Sequence, residues 1–321
     1  TYEFDLSNID GAKSLKWGNY QAGVAKELMQ AGCKLEGADM LFDGTIPFGS
    51  GLSSSASIEL ATGIALSTIF GGAFTNIQLA QLGQKAENNF CSVNCGIMDQ
   101  FASAMGRKNN AIMLNCSTLE YKYVPLDLGD NVLILANTCK KHALGASKYG
   151  ERRAEVEEGL KMMQDAQRKA GDGSIKQKLC DYTPHDFEKY ERCITDNTIK
   201  KRIKHVVYEN DRVKKAVPML QEGNLIAFGR LMREANESIR YLYEATGDEL
   251  DAMYDAAENF DGCIGSRMTG GGFGGCTVNI VNREKTDEFI ETVGNSYTKA
   301  TGITPEFYVC EIGDGAREIT L

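Results

Sequence analysis

A glycine-serine run that ends in an apolar segment constrains this chain most: Pro47-Phe48-Gly49-Ser50-Gly51-Leu52-Ser53-Ser54-Ser55-Ala56-Ser57. Glycines on both sides of Ser50 let the backbone approach a neighbour with no Cβ in the way. The serines lead directly into Ala56–Phe70, rich in Ala, Leu and Ile, which reads as a helix. A helix start presents unpaired N–H groups and the positive end of its dipole. Serine hydroxyls add donors for phosphate oxygens or ligands for a divalent cation. The run therefore fits an anion-binding loop, and equally a serine-capped helix behind a glycine turn. It is not a Walker A loop, because no Lys follows the second glycine. Ser54 at the third glycine position also makes it a poor dinucleotide fingerprint.

The chain has 321 residues, enough for one large or two ordinary domains. With 42% hydrophobic and 25% charged residues it has the composition of a soluble globular protein. It has no apolar run of the ~18 residues that a membrane helix needs. The start, Thr1-Tyr2-Glu3-Phe4-Asp5, lacks the basic-then-apolar pattern of a secretory signal. A cytoplasmic protein without a membrane partner is expected. The net charge of −9 argues against a nucleic-acid partner, since neutralising phosphates needs a basic face. A phosphate site here would have to draw on backbone N–H groups, a helix terminus and a metal ion. The ten cysteines run from Cys33 to Cys310 without framework spacing, so reduced, buried thiols are expected. Cys91 and Cys95 lack the paired spacing or neighbouring His of a zinc site, and the histidines are His142, His185 and His205.

Helical spacing of apolar residues predicts helices over 16–29, 56–70, 76–90 and 96–105, then over 147–170, 199–216, 225–242, 249–258 and 286–297. Strands are predicted at 38–44, 111–114, 121–126, 132–136, 276–281 and 306–311. They alternate with helices without regular βα repeats, which favours α+β over a doubly wound parallel sheet. The predicted domains are 1–130 and 131–321. A second glycine cluster, Gly270-Gly271-Gly272-Phe273-Gly274-Gly275, precedes one of the strands.

Three segments in one order carry a family resemblance. Pro47–Ser57 resembles the second signature of the GHMP kinases. Cys95-Gly96-Ile97-Met98-Asp99-Gln100-Phe101 resembles the active-site segment of the galactokinase branch. Ser266 to Val278, with its glycine cluster, resembles the third signature in its galactokinase form. Shorter matches are Trp17-Gly18-Asn19-Tyr20, Gly23-Val24, Asn137-Thr138 with His142, Glu151-Arg152-Arg153 and Phe228 to Met232, so the resemblance spans nearly the whole chain. It implies an α+β GHMP kinase fold: a ribosomal S5-like N-terminal domain, incomplete here, and a ferredoxin-like C-terminal domain, with the active site between them. It implies ATP and a sugar as ligands, Mg²⁺ as cofactor, and phosphoryl transfer to the anomeric hydroxyl of galactose.

The resemblance assigns Gly49, Gly51, Ser53 and Ser54 to the nucleotide phosphates and Trp17 to adenine. Ser55 and Glu87 would hold Mg²⁺, Gly96 and Asp99 would bind the sugar, and Asp99 would stand by the attacking hydroxyl. By their chemistry alone these residues have plainer readings. Asp99 suits a helix N-terminus as well as it suits a base. Glu87, at the end of a predicted helix, reads as a solvated surface residue, and a lone Trp17 on a helix reads as core.

The first GHMP signature has no counterpart between Thr1 and Lys16. The pattern implies roughly 60–90 residues upstream, about half an ordinary domain. The 321-residue chain alone is expected to phosphorylate no sugar detectably. Leu225 stands where the pattern has a sugar-contacting Tyr, and Asn236 where a His is common, which admits a sister kinase for N-acetylgalactosamine or arabinose. A non-catalytic sugar and ATP sensor is the other alternative, and the intact serine run and Asp99 speak against it.

Overall fold

The computed structural model describes residues 1–47, 49–140 and 145–319, with backbone alone for 145–147; Phe48 and His142 of the motifs above lie outside them. The described residues divide into two compact units, Thr1–Phe48 with Ser53–Pro125 and Ile312–Leu321, and Gly49–Leu52 with Leu126–Glu311. The C-terminal segment after residue 311 groups with the first unit. There the Gly315 and Ala316 N–H groups donate to the Gly106 and Ser103 carbonyls at 2.7 and 2.8 Å, and the Asp314 carboxylate accepts the Lys108 N–H at 2.9 Å.

The first unit is a cluster of helices α1 (Gly18–Gln30), α2 (Ser54–Ile69), α3 (Asn76–Lys85) and α4 (Met98–Met105). A hairpin of β1 (Asn110–Leu114) and β2 (Tyr121–Pro125) follows in antiparallel register, Ala111 opposite Val124. Leu28, Leu60, Leu79, Phe90 and Phe101 close a core between the helices. Two expectations differ from the structure here. The predicted helix 76–90 is regular only to Lys85, and Ala86–Phe90 forms a π-helical turn. Residues 38–44, expected as a strand, carry no ladder, and Leu41 is 97% exposed. An alternating pattern becomes a strand only by pairing, and no described strand pairs with this one.

The second unit contains β3 (Asn131–Asn137), α5 (Gly145–Ala170), α6 (Pro184–Tyr190), α7 (Asn197–Gln221), α8 (Leu225–Ser238), α9 (Asp248–Glu258), β4 (Cys263–Thr269), β5 (Cys276–Asn282), α10 (Thr286–Thr301) and β6 (Glu306–Cys310). Its sheet is antiparallel in the order β4-β5-β3-β6. Taken with α9 and α10, this is the strand-helix-strand-strand-helix-strand order of a ferredoxin-like sheet. Val132, Ile134 and Ala136 alternate onto the face that α9 and α10 cover with Met253, Ala257, Phe289 and Val293. β4 was not predicted, because Gly265, Ser266 and Arg267 show no apolar alternation. Helices α5, α6 and α7 build a separate core around Met163, Phe187 and Ile203. Within it the buried Arg202 donates to Glu155 at 2.7 Å, Glu244 at 2.8 Å and the Leu242 carbonyl at 2.6 Å.

Helix α8 rests on β4 at backbone contact. A Cβ at Gly229 would stand 1.9 Å from the Ile264 carbonyl oxygen, which is fixed in the sheet. Gly229→Ala is therefore expected to destabilise the second unit by at least the ~1–3 kcal/mol typical of overpacking. A denaturation midpoint equal to the parent's would contradict this packing.

His205 of α7 is buried, with its Nδ1 2.9 Å from the Ser238 hydroxyl and its ring stacked on Tyr243. Burial first, then the Arg212, Arg267 and Arg202 guanidinium groups, depress its pKa from the ordinary 6.5 to about 3. Unfolding therefore takes up a proton that the folded state refuses. The neutral ring's contribution is complete above pH 6.5 and is lost as the pH falls toward 3. Urea midpoints recorded from pH 7 down to 4 should fall less steeply for His205→Asn than for the parent, the difference approaching ~1.4 kcal/mol per pH unit.

Candidate active site

The glycine half of the Gly49–Ser57 run and the second glycine cluster, far apart in sequence, pack against each other within the second unit. Gly49 and Gly51 have φ of +71° and +75°. A Cβ added at Gly270 would meet the Gly51 carbonyl oxygen at 3.1 Å, and the Cys276 thiol lies 3.2 Å from the Ser50 carbonyl oxygen. A turn that needs left-handed backbone and this close an approach accepts only glycine without strain. A cavity of about 200 Å³ lies beside the cluster, lined by Tyr149, His205, Tyr243, Gly270, Gly271 and Phe273 among others.

The serine half starts α2 in the first unit. Ser53 is the N-cap, in the left-handed region at φ +58°, and its side chain makes no capping bond. The plain capped-helix reading therefore fails, because the hydroxyl is not used where a cap would use it. A non-glycine residue held at positive φ stores of order 1–3 kcal/mol of strain, a cost concentrated at functional sites. Ser54 and Ser55 follow in the first helical turn, half-buried.

One turn beyond Ser55 on the same face of α2 stands Glu59, fully buried. Its Oε2 accepts the Gln100 amide at 3.0 Å, and the same nitrogen donates to Glu87 Oε2 at 2.7 Å. The Cys95 thiol also donates to Glu87 Oε2, at 3.4 Å. Glu87 is thus not the solvated surface residue that its sequence context suggested; the π-helical turn directs it into the core. Burial, and then the neighbouring Glu87, drive the Glu59 carboxyl well above the ordinary carboxylate range. The pair holds a proton at neutral pH because two buried like charges cannot both ionise. The same surroundings push the Tyr20 phenol and the Cys91 and Cys95 thiols up to about 12, by burial first and carboxylates next. These thiols stay protonated and are poor metal ligands. Cys116, Cys180 and Cys193 are exposed, against the expectation of burial.

Asp99 lies in the first turn of α4, half-buried, beside Gln100 in sequence. Gly96 is exposed just before that helix, with open space where a Cβ would stand. Trp17 precedes α1 and is 45% exposed, edge-on to Tyr2 at 5.1 Å and Phe42 at 6.4 Å, so it is not a core residue. In the second unit Leu225 is half-buried at the start of α8. Asn236 is fully buried, and its Oδ1 accepts the Met268 N–H at 2.9 Å, which pins α8 to β4.

Glu59 and Gln100 were missed by sequence reasoning. The available signal was one acid in a helix that is otherwise apolar or small throughout, since buried acids require partners. Among the described residues no group of three or more His, Cys, Asp or Glu side chains gathers to hold a metal. Magnesium needs no such cage: it takes one or two protein oxygens and completes its shell with phosphate oxygens and water. Ser55 and Glu87 fit that demand. The buried Glu59 Oε1 and Gln100 Oε1 next to Glu87 have no hydrogen-bond partner, as expected beside a hydrated cation.

Comparison with known proteins identifies the family. The GHMP kinases N terminal domain matches residues 19–107 and the GHMP kinases C terminal domain residues 216–299. A galactokinase of Clostridium tetani is 48% identical over 98% of this chain and 79% of its own length. That of Bacillus subtilis is 44% identical over 99% of this chain and 80% of its own length. The crystal structure of Lactococcus lactis galactokinase complexed with galactose superposes with a TM-score of 0.90 at 39% identity, covering 99% of this chain and 80% of that one. Methanococcus jannaschii mevalonate kinase, 18% identical over 97% of this chain and 81% of its own, shares the fold with a TM-score of 0.59. With its α+β architecture of GHMP kinase N- and C-terminal domains, the chain belongs to the galactokinase family.

Proposed function

We infer that the protein is an ATP-dependent sugar 1-kinase that converts galactose to galactose 1-phosphate. The observation that carries this reading is identity of 44–48% with curated galactokinases over 98–99% of the chain. The serine run and Asp99 are both present within that span. Free thiols and a nucleotide substrate suit the cytoplasm, and no described helix is long and apolar enough to cross a membrane.

In this reading the loop backbone at Gly49 and Gly51, the Ser53 and Ser54 groups and the start of α2 receive the ATP phosphates. Trp17 offers its exposed ring to the adenine. Asp99, with Gly96 beside it, faces the anomeric hydroxyl of the sugar. The Asp99 carboxylate takes that hydroxyl's proton as its oxygen bonds to the γ-phosphorus, the bond from phosphorus to the β–γ bridging oxygen breaks, and ADP leaves with that electron pair. Ser55 and Glu87 would hold Mg²⁺, which when bound neutralises charge on the phosphate oxygens.

In the protein, Asp99→Asn should lower kcat by on the order of 10²–10⁴-fold and leave ATP affinity nearly unchanged. Turnover within tenfold of the parent would remove Asp99 from the role of base. Coupled ADP-release assays with galactose, N-acetylgalactosamine and arabinose should give the highest kcat/KM for galactose. A preference for either other sugar would reassign the acceptor, and binding of sugar and ATP without turnover would make the protein a sensor.

A further inference from the structure

We propose that Gln100 is a positioning residue, whose one buried amide both aims the Glu87 carboxylate at the divalent cation and ties it to the helix that carries Asp99. The inference rests on the metal reading above. It is motivated by a junction that neither the loop nor the base explains.

Gln100 is fully buried, and its Nε2 meets Glu87 Oε2 at 2.7 Å and Glu59 Oε2 at 3.0 Å. An amide nitrogen carries two protons, and its two close acceptors are these carboxylates, with the Cys95 sulfur farther off at 3.8 Å. Glu59 comes from α2, Glu87 from the π-helical turn after α3, and Gln100 from α4. Gly83, one turn before Glu87, leaves room for the junction: a Cβ there would stand 3.3 Å from Glu59 Oε2 and 3.4 Å from Gln100 Cγ. The Cys95 thiol donates to the same Glu87 oxygen at 3.4 Å. With one oxygen held by the amide and the thiol, Glu87 keeps its Oε1 for a metal. A π-helical turn at this point is the kind of helix defect that occurs at functional sites. Partners that orient a ligand carboxylate typically account for 10–100-fold in metal affinity.

The test uses Mn²⁺ as probe, its binding to the ATP complex of the protein followed by electron paramagnetic resonance. ATP affinity is measured separately in EDTA. Gln100→Leu keeps the volume and removes the donor. It should weaken Mn²⁺ binding about 10–100-fold, leave metal-free ATP affinity within about twofold, and lower kcat with little change in the KM for sugar. Gln100→Asn keeps an amide but draws it back by one methylene, and should shift Mn²⁺ affinity in the same direction; it decides the matter if the Leu variant does not fold. Mn²⁺ affinity within twofold of the parent in a folded variant overturns the proposal. A fall in metal-free ATP affinity that matches the fall in Mn²⁺ affinity also overturns it, since that marks a merely structural role. Glu87→Gln separates the two levels of inference. If Glu87→Gln leaves Mn²⁺ binding intact, the metal reading itself fails. If it weakens binding while the Gln100 variants do not, only the positioning role fails.

Discussion

Burying Glu59 and Glu87 within reach of one amide takes two carboxylates out of water, and an unpaired buried charge is among the costliest groups a fold can contain. The first unit is arranged around that constraint. A proton retained by the pair, the Gln100 amide and the Cys95 thiol replace the lost hydration. These groups arrive from three helical segments, so none of the segments can shift without leaving the acids exposed to one another. Ser55 and Asp99 sit on two of the same segments and take their positions from the same arrangement.

The second unit meets a different constraint with backbone alone. Gly229 meets Ile264 at a distance that excludes a side chain, and Gly51 packs closely on Gly270, these last two glycines both in left-handed backbone. Such contacts have few soft degrees of freedom, and in phosphoryl transfer the protein contributes mainly positioning and charge neutralisation. A loop held by main-chain packing is suited to that work, because its N–H groups need little rearrangement as the reaction proceeds.

Much of this was legible in the residues. Amphipathic periodicity located α7, α8 and α10, because each buries one stripe and solvates the other. Glycine placement identified both turns. What periodicity could not supply was pairing. Residues 38–44 alternate without a described partner, whereas β4 has little alternation and nonetheless pairs with β5 as an edge strand of the sheet. Burial of Glu87 was hidden for a related reason: a regular helix through residue 90 would point it elsewhere, and the extra residue of the π-helical turn has no local signature. Glu59 could have been found, since the Ala56–Ile69 stretch has no other charged side chain to form a polar face with it.

The π-helical turn also changes how the protein tolerates insertions and deletions. Removing one residue between Ala86 and Phe90 would restore an ordinary α-helical repeat, since a π-helical turn carries one residue more than an α-helical one. Here it would rotate whatever stood at position 87 by about 100° about the helix axis and carry the carboxylate away from Gln100. Substitutions that keep the length of the segment alter single contacts, whereas a change of length changes the phase of the whole helix against the site. The segment should therefore vary in composition among functional relatives far more readily than in length.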